Sequence, residues 1–96
     1  MKPSEVLSRN RETIRRAAAR HHTANPRVFG SVLHGSDSDA SDLDLLVDPL
    51  PETTLLDLGG LQVELEAALG IPVDIRTPRD LPQRFRDDVV REALPI

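Results

Sequence analysis

Apolar positions recur at helical spacing in three parts of the chain. Near the N-terminus, Ile14, Ala17 and Ala18 lie on or near one stripe of a helix. Further along, Leu61 and Leu65 repeat four residues apart, and a glycine at the end of their run provides a helix stop. The pattern predicts helices over about 4–20, 61–69 and 81–93.

Three short apolar runs lie between these segments and read as strands. They cover about 27–29, 43–47 and 72–76, and glycine or proline follows each of them closely. The predicted order is helix, strand, short helical turn, strand, helix, strand, helix. This order predicts a small α/β or α+β fold, with a mixed sheet of about three strands and helices packed on one side.

Length and composition restrict the class of protein. Ninety-six residues suit one domain, which we expect to span 1–96. The net charge of -4, the two aromatic residues and the lack of a basic block argue against direct nucleic-acid binding. The chain has no cysteine, which excludes thiolate metal sites. It has no apolar run of membrane-spanning length and no signal-like segment, so we expect a cytoplasmic protein without membrane contact.

Acidic side chains in the second and third predicted strands carry the candidate chemistry. Asp42 and Asp44 are two residues apart and therefore point to the same face of a strand, opposite the apolar residues that alternate with them. Asp74 is the one acid within the third strand. If these two strands pair, the three carboxylates can converge, and hard oxygen ligands of this kind suit Mg²⁺ or Mn²⁺ with bound phosphates.

A glycine–serine turn follows the first strand and offers a complementary phosphate site. Gly30 allows close approach of the backbone, and Ser31 adds a hydroxyl donor. On this interpretation, Gly30→Val impairs triphosphate binding and leaves the fold largely intact.

Each of these features has a simpler interpretation when taken alone. A Gly-Ser pair is usually a turn, two acids at spacing two usually mark a loop or a strand entry, and Asp74 alone could be a surface residue. The series Asp37, Asp39 and Ser41 has the spacing of a calcium loop, but it lacks the glycine and the closing glutamate of such a loop. The combination of acids and turn at strand ends is much more specific than its parts.

Gly30-Ser31, the acidic spacer and the run from Ser41 to Val47 resemble the signature of the DNA polymerase beta-like nucleotidyltransferase superfamily. The small size is similar to its minimal nucleotidyltransferase branch, the antitoxin partners of HEPN-domain toxins. The resemblance implies a nucleotidyltransferase fold, Mg²⁺ or Mn²⁺ as cofactor, ATP as substrate, and transfer of AMP to a hydroxyl of a HEPN toxin. It implies that Asp42, Asp44 and Asp74 are both catalytic residues and metal ligands, and that Gly30, Ser31 and Ser41 bind the nucleotide.

One position departs from the family pattern, and some alternatives stay open. Many members carry arginine before the glycine that aligns with Gly35, whereas this chain has His34, to which we give no catalytic role. The chain could also be a silent antitoxin that neutralises its partner by binding alone, or a subunit that completes its substrate site only with another chain. Phe85 could belong to the core or anchor a partner, and we expect the core.

Overall fold

The computed structural model describes residues 1–96, which form five helices and four strands. The helices are α1 (Pro3–Arg9), α2 (Arg11–Arg20), α3 (Gly30–Leu33), α4 (Leu55–Leu69) and α5 (Gln83–Glu92). The strands are β1 (Thr23–Phe29), β2 (Leu43–Pro49), β3 (Val73–Arg76) and β4 (Leu94–Pro95), and a 3₁₀ turn, Pro78–Asp80, precedes α5.

The four strands form one mixed sheet with the order β3-β2-β1-β4. β1 is antiparallel to both β2 and β4, whereas β2 and β3 run parallel. The predicted fold class is therefore confirmed, with one strand more than expected. β4 is only two residues long and is defined by its pairing with Arg27 and Val28. No local pattern in the sequence predicts this pairing.

Helices pack against both faces of the sheet, one of them only in part, which corrects the prediction of a one-sided packing. The main core lies between one face and helices α1, α2 and α4, and it includes Leu7, Ile14, Leu45 and Leu61. On the opposite face, a smaller cluster joins Leu46 of β2 to residues that flank or belong to α5. Leu43, Leu45 and Val47 are all buried, as the alternation along β2 predicts.

The single N-terminal helix expected from the sequence is divided into α1 and α2 at Asn10. Its backbone has φ -132° and ψ 24°, outside the helical region. The Asn10 side chain donates to the Val6 carbonyl at 2.8 Å. Asparagine side chains compete in this way with the backbone hydrogen bonds of a helix, and periodicity alone does not reveal the break.

β1 begins four residues earlier than predicted and runs through Pro26. The register shifts between Ala24 and Arg27, and Asn25 has a φ of 54°. An irregularity of this kind accommodates a proline that a regular ladder would exclude. Pro26 therefore interrupts the pairing without ending the strand.

α4 begins at Leu55 rather than at 61, because a capping box starts it. The Thr54 hydroxyl accepts from the Asp57 backbone N–H, and the Asp57 carboxylate accepts from the Thr54 N–H at 2.9 Å. These bonds offset the low helix propensity of Gly59 and Gly60. The helix ends at Gly70 in the left-handed conformation, as predicted.

The expectation that Phe85 belongs to the core is wrong. The Phe85 side chain is 45% exposed, and the Arg84 guanidinium lies over its ring. Val89, Leu81 and Ala93 make the contacts with the sheet on that side instead. No helix in the structure is both long and apolar enough to cross a membrane.

Stability measurements can test this assignment of the core. Leu61→Ala removes a fully buried side chain, and we expect it to lower the free energy of unfolding by about 2–5 kcal/mol. Phe85→Ala serves as the matched exposed change and should cost clearly less, because much of its ring already contacts water. Urea unfolding of both variants checks this, and equal losses would contradict the placement of Phe85.

Candidate active site

The parallel register of β2 and β3 brings two of the predicted acids together. Asp44 lies directly opposite Asp74, and on its other side Asp44 is opposite Phe29, the last residue of β1. Asp42 precedes β2 by one residue and is exposed. The carboxylates thus gather at the end of the sheet where β1 ends and where β2 and β3 begin.

Asp44 is half-buried and is electrostatically the most perturbed of these acids. The pKa of the Asp44 carboxyl is raised to about 6, mainly by burial and then by the negative charges of Asp74 and Asp42, while Arg76 opposes the shift. Ionising Asp44 is therefore costly in the protein alone. A bound cation would remove the repulsion and favour the charged form.

Asp74 is held by a residue that the sequence analysis missed. The Arg76 Nε donates to both carboxylate oxygens of Asp74, at 3.1 and 3.2 Å. Arg76 lies two residues further along β3 and therefore on the same face, which is the one signal in the sequence that could have found it. The guanidinium partly neutralises the acidic face.

The Asp44 carboxylate occupies the space where a side chain at Gly30 would lie. Its φ is +70°, and a Cβ added to it would lie 2.2 Å from Asp44 Oδ2. The glycine therefore serves the fold as well as any ligand, which corrects the expectation that Gly30→Val leaves the fold largely intact. Any side chain at this position must displace the Asp44 carboxylate.

The two serines assigned to nucleotide binding lie in and after α3. Ser31 is in α3, and its carbonyl accepts from the Ser36 N–H at 2.9 Å. Ser41 lies beside Asp42 in the following loop, where its hydroxyl accepts from the Ser38 N–H at 2.9 Å. In this structure the Ser41 hydroxyl therefore stabilises a tight turn next to the acids.

Two further polar residues lie outside the acidic group. His34 follows α3, and its Nε2 is 3.7 Å from a carboxylate oxygen of Glu92 at the end of α5. Asp48 is near the other end of β2, where the buried Arg27 guanidinium binds both of its oxygens and holds its pKa below the usual range. Asp48 therefore has a structural partner and is not a substitute for the acids at the site.

The donor chemistry fits a hard divalent cation. Asp42, Asp44 and Asp74 supply only carboxylate oxygens, and their mutual charge raises the pKa of the middle acid. No group of three or more His, Cys, Asp and Glu side chains is arranged to hold a metal ion as it stands, and Asp74 is turned to Arg76. The three acids thus share a face without forming a closed cage, and no pocket encloses them.

Comparison with known sequences gives consistent matches. Residues 11–96 match the family described as nucleotidyltransferase domain. The chain is 37% identical over 67 residues to a Thermococcus cleftensis protein named protein adenylyltransferase MntA, with 70% of this chain and 68% of that protein covered.

Solved structures show the same fold. One, described provisionally as a minimal nucleotidyltransferase, superposes with a TM-score of 0.86 at 45% identity and covers 97% of this chain and 95% of the other. A second, described as a toxin–antitoxin with AMP-PNP, superposes with a TM-score of 0.74 at 22% identity, covering 90% and 71%. At that lower identity the second comparison supports the fold alone.

The raised pKa of Asp44 gives a pH-dependent prediction for the metal-free protein. The folded state binds this proton more tightly than the unfolded chain, so stability falls as pH rises from about 4 to about 6. Asp44→Asn removes that loss. In EDTA, we expect the free energy of unfolding of Asp44→Asn to exceed that of the unmutated chain. This difference should be larger at about pH 8 than at about pH 4.

Urea unfolding at the two pH values measures this difference. Asp87→Asn removes an exposed acid of α5 and is the control, for which we expect the same small change at both pH values. A gain for Asp44→Asn that does not depend on pH would contradict the electrostatic account of the site.

The contact between Gly30 and Asp44 can be separated from backbone strain. Gly35 has a φ of +71°, almost that of Gly30, but an added Cβ there meets nothing within 4 Å. Gly35→Ala therefore measures the cost of the left-handed conformation alone. We expect Gly30→Ala to lower the free energy of unfolding more than Gly35→Ala, and we expect only Gly30→Ala to weaken Mg²⁺–ATP binding. Equal losses would show that the Asp44 contact is unimportant.

Proposed function

The chain belongs to the nucleotidyltransferase domain family, and from this premise we propose that it transfers AMP from ATP to a hydroxyl of a partner toxin, acting as its antitoxin. The observation that carries the proposal is the register that sets Asp44 opposite Asp74, with Asp42 one residue before the same strand. Oxygen ligands at a surface without an enclosing pocket suit a metal–triphosphate complex together with a large acceptor.

Asp42 and Asp44 are the proposed ligands of Mg²⁺ or Mn²⁺, with Asp74 as the third carboxylate. When bound, the metal supplies a positive charge that brings the triphosphate to the acids and stabilises charge on the reacting oxygens. Gly30 and Ser31 form the proposed phosphate-binding turn, because Gly30 lies beside the Asp44 carboxylate and Ser31 follows it in α3. Ser41 is a proposed nucleotide contact because it precedes Asp42 in the chain.

The proposed reaction is an in-line displacement at the α-phosphorus of ATP. The acceptor oxygen forms a bond to that phosphorus, the bond from the phosphorus to the β-phosphate oxygen breaks, and pyrophosphate leaves with the electron pair. Asp74 takes the proton of the attacking hydroxyl or holds the hydroxyl in place for its loss. Arg76 must release Asp74 for this role, and its guanidinium is then free to bind phosphate oxygens.

A protein acceptor fits the form of the site. The acids lie on a sheet face beside an edge strand, and no pocket closes over them. A hydroxyl of a docked protein can approach such a face from outside the molecule. The relative named protein adenylyltransferase supports a protein as the acceptor, and we propose a HEPN-domain toxin as the partner.

The decisive experiment weighs the partner after reaction. The purified toxin is incubated with ATP, Mg²⁺ and the chain, and its intact mass is measured. We expect added AMP with the unmutated chain, and we expect Asp74→Asn to slow transfer by roughly 10²–10⁴-fold while the complex still forms. Asp42→Asn and Asp44→Asn should be at least as damaging, because they also weaken metal binding.

Asp87→Asn is the matched control, since it removes an exposed acid of α5 that is not among the proposed site residues and should leave transfer unchanged. If the unmutated chain silences the toxin without adding mass, the chain is a masking antitoxin and the proposed reaction is wrong. If Asp74→Asn transfers AMP at the normal rate, the assignment of the third carboxylate is wrong.

A further inference from the structure

The loop from His34 to Asp42 joins α3 to β2 and carries two of the proposed site residues at its end. Its outer residues are mostly exposed, so the apolar core does not fix its path. Hydrogen bonds must therefore hold Ser41 and Asp42 in place. The start of the loop is bound to α3 by the Ser36 N–H, and its end is closed by the turn between Ser38 and Ser41.

The middle of this loop has a long-range contact with α1. The Asp37 Oδ2 accepts from the Ser4 backbone N–H at 2.9 Å, across 33 residues of sequence. This N–H lies in the first turn of α1, where it has no partner within the helix. The same bond is the main cause that lowers the pKa of the Asp37 carboxyl.

α1 is itself firmly attached to the body of the protein. Pro3, Val6 and Leu7 are buried, and Leu7 belongs to the main core. α1 also lies ahead of the residues that match the nucleotidyltransferase family, which begin at 11. The helix is thus a fixed point for the loop, and Asp37 is the loop residue that bonds to it.

We propose that Asp37 is a positioning residue, which ties the loop to α1 and so holds Asp42 and Ser41 ready for the metal–nucleotide complex. This inference rests on the proposed function, because it assumes that Asp42 binds the metal. Without the bond, the turn between Ser38 and Ser41 remains but has no anchor on the core side. Nucleotide binding must then order the loop, and affinity falls by the cost of that ordering.

Two measurements on purified protein test the proposal. Backbone ¹⁵N order parameters report the mobility of residues 38–41, and calorimetry reports the affinity for α,β-methylene-ATP with Mg²⁺. For Asp37→Ala we expect the order parameters to fall below about 0.6 and the affinity to fall by about three- to tenfold. Asp37→Asn keeps an oxygen that accepts from Ser4, and it should restore both values.

Asp39→Ala is the matched control, because Asp39 is exposed in the same loop and makes only a 3.7 Å contact with the N-terminal amine. We expect it to leave both readouts unchanged. An equal loss of affinity with Asp39→Ala would overturn the proposal, because it would show that the negative charge of the loop matters and the bond to Ser4 does not. Unchanged mobility with Asp37→Ala, or greater mobility with unchanged affinity, would also overturn it.

Asp42→Asn separates this inference from the proposed function. If Asp42→Asn leaves the affinity for Mg²⁺ and α,β-methylene-ATP unchanged, the proposed metal site is wrong. If Asp42→Asn weakens binding but Asp37→Ala does not, the metal site stands and the role of Asp37 falls. A purely structural role of Asp37 would lower the melting temperature without changing affinity measured well below it.

Discussion

The parallel pairing of β2 with β3 is the constraint on which the candidate site depends. Its register sets Asp44 opposite Asp74 and at the same time buries Leu43 and Leu45 in the core. A shift of one residue would move the acids to the core face and the leucines to water. The burial of the apolar side chains therefore fixes the position of the carboxylates.

This arrangement places negative charge where the protein alone accommodates it poorly. The pKa of Asp44 is raised to about 6, first by burial and then by its acidic neighbours. Arg76 offsets part of this charge through its bonds to Asp74. A site of this kind is stabilised by binding a cation, so the unfavourable electrostatics of the free protein are consistent with the reaction proposed for the bound one.

Two backbone features, a glycine and a tight turn, lie directly beside the acids. Residue 30 must be a glycine because Asp44 occupies the space of a side chain there. The turn between Ser38 and Ser41 directly precedes Asp42. Towards the opposite end of β2, the buried Arg27 forms an ion pair with Asp48, whose side chain is partly exposed. One face of β2 thus carries the acids of the proposed site near its start and an ion pair near its end.

Local signals in the sequence were sufficient for most of the elements. The stop at Gly70 and the alternation in β2 were both predicted correctly, because each depends on a few neighbouring residues. The break at Asn10 and the passage of β1 through Pro26 were missed, because side-chain hydrogen bonding and strand pairing overrode periodicity there.

The sequence by itself determined the candidate residues for the proposed chemistry, since Gly30, Asp42, Asp44 and Asp74 stand in a pattern that local geometry and family resemblance both identify. Only the tertiary structure decided how they meet. The pairing of Asp44 with Asp74, the fit of Gly30 against Asp44 and the two-sided packing of helices all join residues distant in the chain. Such contacts depend on strand register and core packing, which spacing along one segment does not encode.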